Sequence, residues 1–226
     1  MNMNKVIVYI LLVLAYLGLS KSLSPSELGV NYIFNEQALE KLIGNGPVSV
    51  VLTDVHSTGF IIKTYYHKYK IIYGFQSYDE LIARTSSQFK SKHEKHIGLS
   101  IFRRYEDGQV DFTPLPPGSI FIGDRNFGRW RKREGARTWS FYRVYRHIPI
   151  FLGWGDFKPS YNFFQEIQRR TKEKKAFFGF NDEFGLKGSI TKKSFPNYFS
   201  KLEDAKSINY KEFFNDYLKK NFKVNK

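Results

Sequence analysis

Apolar and polar positions change period several times along the chain, and each change marks an element. Val6 to Leu19 is apolar except for Tyr9, Tyr16 and Gly18, with Lys5 before it and Ser20-Lys21-Ser22 after it. A cation, a short apolar run and small residues in that order form the layout of a secretory signal. The run is too short for an ordinary spanning helix. Ser26 to Gly44 then takes helical spacing. Asn35 serves as N-cap, Glu36, Ala38, Leu39, Leu42 and Ile43 form a face, and Gly44 closes the helix. From Pro47 to Tyr73 the period shortens to that of strands. Val48, Val50 and Leu52, then Phe60-Ile61-Ile62, then Ile71-Ile72-Tyr73 predict a three-stranded meander. Its turns fall near His56-Ser57-Thr58-Gly59 and His67-Lys68-Tyr69.

Ser77 to Lys92 reads as an amphipathic helix with Leu81, Ile82, Thr85 and Phe89 on one side. Strand signals return at Ile97 to Arg103 and Val110 to Phe112, around the turn Glu106-Asp107-Gly108. Pro114, Pro116, Pro117 and Gly118 interrupt the pattern. Ser119 to Gly123 predicts a short strand, and Thr138 to Ile148 the longest one. Helices are expected after Pro159-Ser160 as far as Lys174, and from Tyr210 to Phe222. Mixed order with hairpins, rather than regular β-α-β alternation, predicts an α+β fold. Its sheet is mixed but mainly antiparallel, with several packing helices. Residues 1–22 form the signal and 23–226 a single domain, with 199–226 as a C-terminal helical extension.

Composition narrows the chemistry. The 226 residues contain no cysteine, which excludes thiol nucleophiles, thiolate metal sites and lipid attachment at a cysteine. An exported chain without disulfides fits a bacterial periplasmic or secreted protein better than a small animal domain. No stable membrane span is expected once the signal is cleaved. The net charge of +15 favours anionic partners: an envelope polymer, peptidoglycan first, or nucleic acid. No phosphate loop or dinucleotide fingerprint occurs, so no nucleotide cofactor is expected.

That charge is concentrated. Arg125 to Arg146 holds eight cations against the single acid Glu134, interleaved with Phe127, Trp130, Trp139, Phe141, Tyr142 and Tyr145. Arginine dominates here although lysine outnumbers it twofold overall. Its planar fork binds carboxylates bidentately, and aromatic faces stack on sugars or bases. Arg125, Trp130, Trp139, Tyr142, Arg143, Trp154 and Asp156 are therefore the expected binding residues. Trp154, between two glycines, would be a sugar platform. Asp124 and Asp156 sit in glycine-rich corners, where turn chemistry recruits the same residue types.

A second constellation would suit a hydrolase of the same polymer. Asp54 and His56 share a strand side two residues apart, and His93 and His96 share a face if helical. Together they form a candidate site for zinc or another divalent metal, with Asp54, His56 and Glu36 as catalytic candidates. His67 is expected about 20 Å from His56 along the intervening strand. His56-Ser57-Thr58-Gly59 is similar to a fragment of the zinc D,D-peptidases that cleave cell-wall peptides, which place an aspartate ligand seven positions after the histidine. Here that position is Lys63, and no later Glu-x-x-His or Trp-His ending follows. Ser87 to Lys90 and Ser189 to Lys192 match Ser-x-x-Lys, with no Lys-Thr-Gly partner. A metal-free glycosidase would draw its carboxylate pair from Glu36, Asp54, Asp124, Glu134, Asp156 and Glu183. Among these, Glu36 beside an apolar face is expected to have a raised pKa.

Overall fold

A computed structural model describes residues 5–23, 29–59, 63–73, 77–133 and 135–207. Among them are seven α-helices, a curled six-stranded mixed sheet and a separate hairpin, which together make an α+β fold. Helix α1 is Lys5–Leu23. The strands of the large sheet are β1 (Tyr32–Ile33), β2 (Val48–Thr58), β3 (Thr64–Tyr73), β4 (Tyr78–Thr85), β5 (Ser100–Arg104) and β6 (Val110–Asp111). Their order is β1-β4-β3-β2-β5-β6, antiparallel throughout except for the parallel pair β1–β4. Two short helices, α2 (Glu36–Glu40) and α3 (Ser87–His93), lie on one face of this sheet.

The hairpin comprises β7 (Gly128–Arg133) and β8 (Ala136–Phe141). After it come α4 (Ile148–Phe151), α5 (Tyr161–Glu173), α6 (Ser189–Ser194) and α7 (Pro196–Ser207). Apolar side chains on α1, from Val6 to Leu17, stand exposed. Among the described residues no helix is long and apolar enough to cross a membrane.

The sheet separates two cores. On one face Leu39, Ile43 and Phe89 from the helices pack on Val50, Leu52, Tyr69, Ile71 and Ala83. On the other, Val51 and Ile72 join Phe121, Phe127, Trp139, Trp154, Phe163 and Phe184 from the second half of the chain. Full burial of such a side chain contributes about 1.5–3 kcal/mol. One irregularity decides what each face carries. The register slips between Leu52, opposite Tyr69, and Asp54, opposite Lys68. Thr53 is the extra residue of a bulge, and its hydroxyl donates to the Lys68 carbonyl at 3.0 Å. Beyond a one-residue slip every side chain changes face. Val55 therefore continues the face of Leu52, while Asp54 and His56 turn to the opposite side.

Several expectations are corrected. The helix expected over 26–44 is reduced, within the described residues, to α2, although Asn35 does cap it by accepting from the Ala38 N–H at 2.8 Å. The helix expected over 77–92 is instead strand β4 followed by α3. Ala83 and Thr85 are buried while Ile82 is exposed, the alternation of a strand. Ser86 breaks the two elements apart by capping α3. His67-Lys68-Tyr69 is mid-strand rather than a turn, because β2 and β3 form one long hairpin. Residues 60–62, read as the middle strand, lie outside the described residues, as does the helix expected over 210–222. Ser119 to Gly123 forms buried turns rather than a strand. The strand expected over 138–148 ends at Phe141, and a 3₁₀ turn, Arg143–Tyr145, follows. The turn at Glu106-Asp107-Gly108 is present, with Gly108 at φ +82°. Helix α5 runs from Ser160, which caps the Phe163 N–H, to Lys174 in left-handed conformation.

Candidate functional site

The proposed metal ligands do not assemble. Asp54 and His56 lie together, Oδ1 to Nδ1 at 3.4 Å, and the His56 ring stacks on Tyr66 with centroids 5.3 Å apart. His93 and His96 belong to the other face. His67, opposite Val55 in the register, meets Phe89 at 5.6 Å, and Phe89 meets His93 at 4.5 Å. The sheet thus stands between the two pairs, and no group of three or more potential ligands forms among the described residues. The cause is the bulge at Thr53; regular alternation would have pointed Asp54 and His56 towards the histidines. His67, expected far from His56, sits on the neighbouring strand next to its partner Tyr66, but on the opposite face.

What the structure does assemble is Glu36, His93 and His96. Glu36 opens α2, His93 closes α3, and His96 ends the following 3₁₀ turn. Glu36 Oε1 accepts from Lys92 Nζ and lies 3.4 Å from His93 Nε2, and His93 Nδ1 is 3.3 Å from His96 Nδ1. His93 is 1% exposed and His96 6%. Burial lowers both imidazoles, His93 to about 4 and His96 to about 3, so both are neutral at pH 7. For Glu36 burial acts upward, but hydrogen bonds from Lys92 and the backbone, with the Lys92 charge, outweigh it. The carboxyl is held below its ordinary value, which corrects the raised pKa expected from the sequence. Ionised, Glu36 does not suit the role of a general acid.

These residues line a cavity of ≈ 550 Å³ together with Lys95, Asp111 and Lys174. Asp111 has a stronger partner behind the wall. Buried Arg103 donates to its Oδ2 at 2.8 Å, whereas Lys174 approaches Oδ1 at 3.3 Å with its side chain 68% exposed. Asp111 and Lys174 were not among the residues read from the sequence. The Asp-x-Thr turn that fixes Asp111, through Thr113 N–H and Oγ1, was the available signal.

The basic segment forms a different surface. In the hairpin Trp130 opposes Trp139 and Gly128 opposes Phe141, so these residues share the inner side. A Cβ on Gly128 would come within 2.5 Å of the Ser140 carbonyl, so only glycine permits this approach. Trp139 is 5% exposed and Trp154 3%, and the Trp154 indole donates to the Pro117 carbonyl. Their rings pack on Trp130, Phe141 and Phe157. Both indoles are thus largely taken up by core packing rather than standing as exposed platforms. Trp130 is half-buried against Tyr161 and Phe164, whereas Tyr142 is 40% exposed.

The arginines do stand outward. Arg125, Arg129, Arg131, Arg137, Arg143 and Arg146 are all exposed, and among the described residues none is ion-paired. Arg137 lies over the Tyr161 ring at 4.5 Å. Arg131 and Arg146 join Lys158, Thr138 and Ser140 around a cavity of ≈ 290 Å³ whose lining contains no carboxylate. Trp139 and Trp154 also line it. Asp156 is exposed outside this cavity, and Asp124 accepts the Asn126 N–H as a turn residue. Glu134 lies outside the described residues. No protein-family model, characterised protein or solved structure matches the chain.

Proposed function

We propose that this is an exported bacterial envelope protein that binds an anionic cell-wall polymer, peptidoglycan in the first instance. The observation that carries the reading is the carboxylate-free groove of Arg131, Arg146 and Lys158, flanked by four further unpaired arginines. Guanidinium groups without an ion-pair partner, one on the hairpin and one just after the 3₁₀ turn, favour carboxylate or phosphate partners. The Thr138 and Ser140 hydroxyls can hydrogen-bond the same polymer, and Tyr142 supplies an exposed ring. The choice of compartment is supported by the apolar side chains of α1, which stand exposed behind the cation Lys5. The binding mode differs from the one expected, since charge replaces indole stacking.

Sedimentation of the full chain with isolated peptidoglycan tests this. The wild type should pellet with the wall. Arg131→Ala/Arg146→Ala should lose roughly tenfold in affinity while keeping its melting temperature, the scale of one or two charge-assisted contacts. Wall binding that is indifferent to both substitutions sinks the assignment. Binding to single-stranded nucleic acid in preference to wall, falling steeply with salt, would redirect it to that polymer.

A further inference from the structure

The Glu36–His93–His96 chain fixes the tautomer of His96, a residue that lines the cavity. An ionised carboxylate only accepts, so His93 presents Nε2–H to Glu36. A neutral imidazole carries a single N–H, which leaves His93 Nδ1 as an acceptor. His96 Nδ1 must then donate to it across 3.3 Å, and His96 Nε2 retains its lone pair. This tautomer follows from the hydrogen-bond network. No protein group bonds to that nitrogen, and it is not sealed from solvent. His96, more than nine-tenths buried and lining the cavity, therefore keeps an acceptor nitrogen that no protein group uses.

The charges around it are also uneven. Lys92 is matched by Glu36, and Asp111 is shared between Arg103 and Lys174, so Lys95 and Lys174 leave the lining with an excess of positive charge. Val110, Phe112, Pro114 and Ala176 provide an apolar wall, and Gln37 a side-chain amide. At ≈ 550 Å³ the space suits a small ligand. We propose that this cleft binds a small carboxylate carrying an amide N–H beside it, an N-acylated amino acid or the C terminus of a short peptide. Lys95 and Lys174 hold the carboxylate, His96 Nε2 accepts the amide N–H, and the apolar wall takes the side chain. A phosphate satisfies the lysines, and its protonated oxygen can donate to Nε2, but it leaves the apolar wall without a partner. The inference goes beyond the polymer reading and does not depend on the arginine groove.

Calorimetric titration of the full chain with N-acetylalanylalanine, and with its C-terminal amide, provides the test. The acid should bind, and the amide at least roughly tenfold more weakly, one charge-assisted contact in affinity terms. Lys95→Ala/Lys174→Ala, two exposed positions, should lose the acid to the same extent. Arg131→Ala/Arg146→Ala should leave the titration unchanged, so failure of this site and failure of the groove are distinguishable. Nitrogen NMR of the imidazoles gives a second readout: His96 Nε2 should be the unprotonated nitrogen and should shift when the acid is added. Equal binding of acid and amide overturns the proposal. So do the absence of binding at millimolar ligand, equal competition by inorganic phosphate, or a protonated Nε2.

Discussion

Three imidazoles in one core make the protein sensitive to acid at single residues. His67 is fully buried, its Nδ1 meets the Tyr69 hydroxyl at 2.9 Å, and its Nε2 has no partner. Burial, with the neighbouring His93 adding to it, lowers His67 to about 3, beside about 4 for His93 and about 3 for His96. In the unfolded chain each titrates near 6.5. Native values below the unfolded value mean that the unfolded chain takes up protons first. Stability is thus retained above pH 6.5 and lost as the pH falls from there towards 4 and 3. Each group can contribute a slope of up to about 1.4 kcal/mol per pH unit in that window. Denaturant unfolding between pH 7 and pH 5 should show the fall. His67→Phe should flatten it by up to one group's slope, at the cost of an unpartnered Tyr69 hydroxyl. An unchanged slope would mean that His67 does not titrate with unfolding.

At the scale of elements, one cap was legible. Asn35 caps α2 as expected, and Ser160, after which a helix was expected, caps α5, because a short polar side chain before an apolar periodicity satisfies orphan N–H groups locally. Ser160→Ala should accordingly destabilise the protein by about 1 kcal/mol, read from the shift in denaturation midpoint at constant m-value. A shift near zero would mean that α5 is held by its packed Phe163 and Ile167 alone. The α+β class and the hairpin character of the sheet were also readable, since strand alternation at Val48, Val50 and Leu52 needs only nearest neighbours.

What escaped was set by tertiary pairing. The Thr53 bulge depends on the β3 partner and reverses the direction of Asp54 and His56. Leu81, Ile82, Thr85 and Phe89 fit a helical stripe as well as a strand followed by a helix, and β3 on one side with β1 on the other decides between them. Trp139 and Trp154 could be read as exposed or buried until Phe141 and Phe157 covered them. The arginine cluster was legible because exposure is the default for charge. The Glu36–His93–His96 grouping was not, because 57 residues separate its carboxylate from its first imidazole.

Across the whole molecule, α5 relates the two proposed sites. Its first residue, Tyr161, lies under Arg137 of the hairpin, and its C-cap, Lys174, lines the histidine cleft. Thirteen residues at about 1.5 Å each put roughly 20 Å between the two ends. A polymer that carries carboxylates at intervals can reach both sites, whereas a small acid reaches one. Two linked contacts raise affinity through effective concentration, and removing either returns binding to the single-site level. With isolated wall, Lys95→Ala/Lys174→Ala and Arg131→Ala/Arg146→Ala should therefore each lower affinity roughly tenfold or more. The quadruple variant should then abolish sedimentation. With N-acetylalanylalanine only the lysine pair should matter. If wall binding ignores the lysines while the small acid still depends on them, the sites serve separate ligands, and α5 is only a structural strut between them.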